Sequence, residues 1–100
     1  MTEIYTVTLH SPMGPREGRL EMTYCGKLVK GTLSLLGYVN SVTGRRTGPE
    51  ELCLSCRLNS VMGAIACDSV LHLIAGDLSG TADTSKGKME WTGTLMETKV

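Results

Sequence analysis

Residues 10–18 read "HSPMGPREG" and place two prolines and two glycines within a few positions. Proline presets φ and glycine supplies a positive φ, so the stretch punctuates a turn between "YTVTLH" (5–10) and "GRLEMTY" (18–24). Apolar and polar residues alternate on both sides, the period-two signature of strands with one buried face. Fainter copies of the tip "HSPMG" (10–14) return as "LSLLG" (33–37), "NSVMG" (59–63) and "DTSKG" (83–87). Their glycines stand at 14, 37, 63 and 87, spaced 23, 26 and 24 residues apart. Alternating stretches flank most of the copies, which makes one hairpin per repeat.

Between the tips lies a second set of turn signals: "YCGK" (24–27), "TGRRTGPE" (43–50) and "AGD" (75–77). Strands are therefore expected at 3–10, 17–24, 28–35, 38–43, 51–59, 64–74, 78–84 and 88–97. No segment carries a helical period. Such strands in series leave two exposed edges unless the sheet closes. The expected fold is thus all-β, an eight-stranded antiparallel up-and-down meander barrel built from four hairpin repeats, in one domain over 1–100. A β-sandwich is the alternative. In a meander alternate turns lie at opposite ends, so the repeated tips share one end. Met13, Leu36 and Met62 are expected to plug the barrel there, with Lys86 facing water.

Composition narrows the function classes. Lysine plus arginine equals aspartate plus glutamate at 10 each, so no global field gathers nucleic acid or an anionic membrane. The lysines are dispersed and only 4 % of residues are aromatic, which leaves little for base stacking. The start "MTEIYTVTLH" is polar and alternating, unlike a signal peptide or a membrane span, so a cytoplasmic location is expected. The 4 cysteines are then expected to stay free, as small buried apolar groups.

Alternation assigns the inward face to Tyr5, Val7, Leu9, Leu20, Met22, Tyr24, Val29, Leu33, Leu35, Leu52, Leu54, Cys56, Leu58, Met89, Trp91 and Leu95. These residue types fit a filled interior and equally one with room for a small ligand. Gly31, Gly80, Ala82 and Gly93 fall on strands, where they remove volume or permit sharp coiling.

The "SPMG" tip, its partial copy "SVMG", and the pairs Gly31-Thr32, Gly80-Thr81 and Gly93-Thr94 resemble a group of uncharacterised small bacterial all-β proteins with recurring "[ST]-P-M-G" tips. By architecture the chain also looks like the calycin-like barrels, lipocalins and streptavidin, and that resemblance implies small-molecule binding. The lipocalin "G-x-W" signature has no convincing copy, since Trp91 sits in "MEWTG" (89–93).

Each constellation has a bland reading beside its chemical one. "CLSC" (53–56) has the spacing of zinc and redox motifs, yet residues three apart on a strand point to opposite faces, and no second pair follows. Ordinary strand cysteines are the expectation, and no metal or cofactor is assigned. His72 lies in "SVLHLIAG" (69–76), apolar on both faces, so its direction is open; a regular strand puts Asp68 on its side. Arg45 and Arg46, read as part of the longest connection, could receive a carboxylate through forked hydrogen bonds or simply keep the surface soluble. If a cavity exists, its mouth is expected at that end, rimmed by Tyr24, Arg45, Arg46 and Asp77. "GTADTSKGKM" (80–89) fails as a phosphate loop because Met89 replaces the hydroxyl residue and a strand follows.

The leading expectation is a non-catalytic barrel that binds a small apolar or amphipathic molecule through Tyr5, Tyr24, Leu33, Arg45, Arg46, Leu54, His72 and Trp91. The alternative is a structural protein that forms a homo-oligomer through an apolar outer face. An enzyme using His72 is the third reading, and it lacks a placed nucleophile.

Overall fold

The computed structural model describes residues 1–35, 37–60, 63–85 and 87–99, the side chains at 59 and 60 excepted. Among these the chain forms β1 (Thr2–Ser11), β2 (Gly14–Cys25), β3 (Leu28–Leu35), β4 (Tyr38–Arg46), β5 (Glu51–Ser60), β6 (Gly63–Ile74), β7 (Asp77–Thr84) and β8 (Gly87–Lys99). Each strand pairs antiparallel with the next, and β8 returns to β1, so the meander closes into a barrel rather than a sandwich. Closure gives every strand a neighbour on both sides, which is the physical reason for preferring it.

The tips follow from local chemistry. Ser11 pairs with Gly14 across the ladder, which leaves Pro12 and Met13 as the two turn residues. Gly14 has φ 108°, a conformation that costs glycine little. Ser11 Oγ donates to the Gly14 carbonyl at 2.6 Å, and Thr84 Oγ1 repeats the bond to Gly87 at 2.8 Å, so the sequence repeat is a repeat of turn geometry. The expectation that Met13 plugs the barrel is corrected: standing beyond the last ladder pair, it is 82 % exposed. Leu36, Met62 and Lys86 lie outside the described residues.

β4 also departs from expectation. It runs on through Arg46 because Arg45 pairs with Cys53 and Arg46 with Leu52, and the Arg46 N–H bonds the Lys27 carbonyl at 2.7 Å. Both arginines therefore belong to a strand and not to a loop. Pleating then sends them to opposite faces.

Every residue of the expected inward set is buried in one apolar cluster or packed against it, and Val42, Cys67, Leu71, Leu78 and Ala82 complete that cluster. The space remaining at the barrel centre, beside Leu33, Leu54, Leu71 and Trp91, is about 10 Å³. That is roughly one water-sized sphere, so side chains fill the interior. Two polar groups of the interior are paired: Asn40 Nδ2 donates to the Leu33 carbonyl at 3.0 Å and Trp91 Nε1 to Ser69 Oγ at 3.0 Å.

Two glycines show how so small a barrel coils. A Cβ on Gly31 would overlap the Glu21 carbonyl oxygen, and one on Gly80 the Val70 carbonyl oxygen. Strands press together there in a way that only glycine allows. Where β1 meets β8 the register slips: Ile4 opposes Glu97 while Tyr5 opposes Leu95, leaving Met96 unmatched. Ile4 and Tyr5, the β1 residues at this slip, are both buried.

Candidate functional site

Continuing the inward alternation past the apolar core leads to the end opposite the tips. On β1 the inward series Leu9, Val7 and Tyr5 continues to Glu3; on β4, Asn40 and Val42 lead through Gly44 to Arg46; on β6 and β8 the series end in Leu73 and Leu95. Together with Tyr24 of β2 these residues line an open concavity of about 220 Å³, with Pro49 as its lip. Arg46 also borders a second concavity of about 260 Å³ formed with Lys27 and residues 47–49.

The polar groups of this mouth are held in fixed positions. Arg46 lies over the Tyr24 ring, its Cζ 5.2 Å from the ring centroid, while its Nη2 donates to the Pro49 carbonyl at 2.8 Å. Stacking a guanidinium on a phenol face is attractive by about 0.5–1 kcal/mol even at a partly exposed site. Burial is the main cause that pushes Tyr5 up to about 12, with the Glu3 carboxylate adding to it. The same two causes push Tyr24 up further, and Arg46 opposes both shifts. Tyr24 Oη is sealed from solvent without a partner in good hydrogen-bond geometry, although Glu3 stands near enough to raise its pKa. A buried hydroxyl in that state costs about 1–3 kcal/mol until something pairs with it. Among the described residues the lining contains no serine, cysteine or histidine; its polar side chains are Glu3, Tyr5, Tyr24 and Arg46.

Tyr5, Tyr24 and Arg46, all expected at a site, are thus brought together at the mouth. Leu33, Leu54 and Trp91 are core residues around the small central space. Arg45 is exposed on the outer face, and Asp77 is exposed on the outer side at the start of β7. The direction of His72, open in the sequence, is outward. Cys67, Ser69, Leu71 and Leu73 take the inward positions of β6, so Asp68, Val70, His72 and Ile74 face out. His72 Nδ1 lies 3.8 Å from Glu51 Oε2, and Asp68 accepts from Ser55 Oγ at 2.8 Å, so neither faces the mouth. Cys53 and Cys56 do fall on opposite faces of β5, but Cys25 is exposed rather than buried. Glu3 was the site residue missed, although it sits in register with Tyr5, Val7 and Leu9.

No protein-family model and no curated protein matches the chain. Among solved structures it is similar to a redesigned β-barrel, with a TM-score of 0.65 at 18 % identity over 96 % of this chain and 90 % of that one. That likeness concerns the fold: an eight-stranded antiparallel β-barrel closed as a meander.

Proposed function

We propose that this barrel binds a small amphipathic molecule at its mouth without transforming it. The filled interior moves the ligand of a calycin-like barrel outward from the lumen to the rim. What carries the reading is the Tyr24 hydroxyl, buried without a well-placed partner beside Glu3 and Arg46 in a concavity of about 220 Å³. A ligand with an apolar body would rest on Leu73 and Leu95, and its polar end would draw the Arg46 guanidinium off the Tyr24 ring and so open the sealed phenol to pairing. The test is native mass spectrometry of protein purified from its source organism, beside a denatured control. An excess mass that vanishes on denaturation, and is lost in Tyr24→Phe and Arg46→Ala but kept in Arg45→Ala, is the expected result. Bare protein, or an excess mass indifferent to Tyr24 and Arg46, overturns the proposal.

A second reading, assembly through the outer wall, is favoured by Val70 and Ile74, which are 38 % and 53 % exposed on β6. It expects a concentration-dependent dimer in sedimentation that Val70→Glu abolishes.

A further inference from the structure

Cys56 of β5 and Cys67 of β6 are direct partners across the antiparallel ladder. Both occupy inward positions: Cys67 is buried in the core, and Cys56 packs against that core while keeping part of its surface open to solvent. Directly opposed residues in such a ladder have Cα atoms about 4.5–5.5 Å apart, within the span of about 4.4–6.8 Å that a disulfide bridges. The backbone therefore already holds the two sulfurs within reach of each other. Both are free thiols.

Their surroundings favour ionisation of one member. Trp91 Nε1 donates to Ser69 Oγ, and Ser69 Oγ lies 3.5 Å from Cys67 Sγ, which leaves the serine proton available to the sulfur. The neighbouring Cys56 thiol is the first cause that holds Cys67 down at about 7 against its burial; Cys56 is pushed up in return. The two sulfurs titrate as a pair and share the remaining proton.

We propose that Cys56 and Cys67 are an oxidisable dithiol, which small disulfides convert to a cross-strand disulfide inside the barrel wall. The oxidant is a low-molecular-weight disulfide, RS–SR. Cys67 thiolate takes the proton of the neighbouring Cys56, and the half-exposed Cys56 sulfur so ionised attacks one sulfur of RS–SR, forming Cys56–S–S–R and releasing one RS⁻, which removes the proton from Cys67. Cys67 thiolate then attacks the Cys56 sulfur and expels the second RS⁻. Two protein thiols are oxidised, one RS–SR is reduced to two RSH, and both thiol protons end on the released thiols. The bond staples β5 to β6 on either side of their tip, and excess thiol reverses it.

Cys25 is exposed and Cys53 faces outward, so the experiment uses Cys25→Ser/Cys53→Ser, which leaves only the inward pair. The folded variant is incubated with oxidised glutathione and digested with trypsin under non-reducing conditions. Cleavage after Arg57 separates the two cysteines, so a disulfide between peptides 47–57 and 58–86 identifies the bond. The expected result is that cross-link, an intact mass lowered by two hydrogens, and a Tm raised by roughly 10 °C and restored by dithiothreitol. Fluorescence of the single tryptophan, Trp91, shifts with it because its hydrogen-bond partner touches Cys67. Glutathione adducts without the cross-link, two unreacted thiols, or a bond that forms only in urea each overturn the proposal. Cys67→Ala, carried in the same background, must abolish the mass loss.

Discussion

Leu71→Ala tests the filled interior most directly, because Leu71 is 2 % exposed and borders the space of about 10 Å³ at the barrel centre. Truncation removes three carbons from the core, a transfer loss of about 2.4 kcal/mol at ~0.8 kcal/mol per carbon. A closed ladder relaxes little, so a residual cavity on the order of 50 Å³ adds about 1.2 kcal/mol. The expected loss is about 3–4 kcal/mol, or a Tm lowered by roughly 15–30 °C in a domain of this size. Urea unfolding followed by Trp91 fluorescence measures it, with an unchanged slope against urea confirming that the two-state comparison holds. Leu71→Met, which conserves volume, should cost less than about 1.5 kcal/mol. An alanine variant that loses less than about 1 kcal/mol would refute the reasoning, since a wall residue around a hollow lumen leaves little new cavity when shortened.

Stability should fall in alkali. The folded pKa of Tyr5 is raised to about 12 from 10.0, so above pH 10 the unfolded chain releases the phenol proton first and stability declines until about pH 12. Tyr24 shifts in the same direction and steepens the decline, each phenol contributing roughly 1.4 kcal/mol per pH unit. Urea titrations between pH 9 and 11 read that slope, and a flat profile contradicts the burial of the two phenols. Gly31→Ala should cost more than about 3 kcal/mol, because its Cβ meets backbone rather than a movable side chain. A soluble Gly31→Ala variant of unchanged Tm would show that β2 and β3 do not press together there.

How much was legible depended on whether a strand's two faces differ. In β1 the series Tyr5, Val7 and Leu9 alternates with threonines and His10, so strand, face and core could be read together. In β6, "SVLHLI" is apolar on both faces, and only the ladders to β5 and β7 show that Leu71 faces in and His72 out. The neighbours of Arg46, glycine, arginine and threonine, favour a loop; pairing with Leu52 overrides that local preference. Glu3 shares the period of Tyr5 on β1, but a carboxylate at an inward position reads against a core, and only the open mouth at that end accommodates it. The opposition of Cys56 to Cys67 depends on hairpin register, which no spacing along one strand reveals. Whether the lumen is filled depends on summed side-chain volumes against barrel radius, a balance that residue type alone leaves open.

The seam between β1 and β8 sets an order of assembly. The other ladders join strands consecutive in the chain, so each can form by closing a short loop, whereas the seam must draw together Tyr5 and Leu95 from far ends of the sequence. Such long-range closure comes late in folding and limits its rate. Tyr5 and Leu95 also line the mouth, with Glu3 on the same edge of β1. An intermediate with its hairpins formed and its seam open would therefore hold most of the secondary structure and none of the finished mouth, whose concavity takes shape only in the last step of closure.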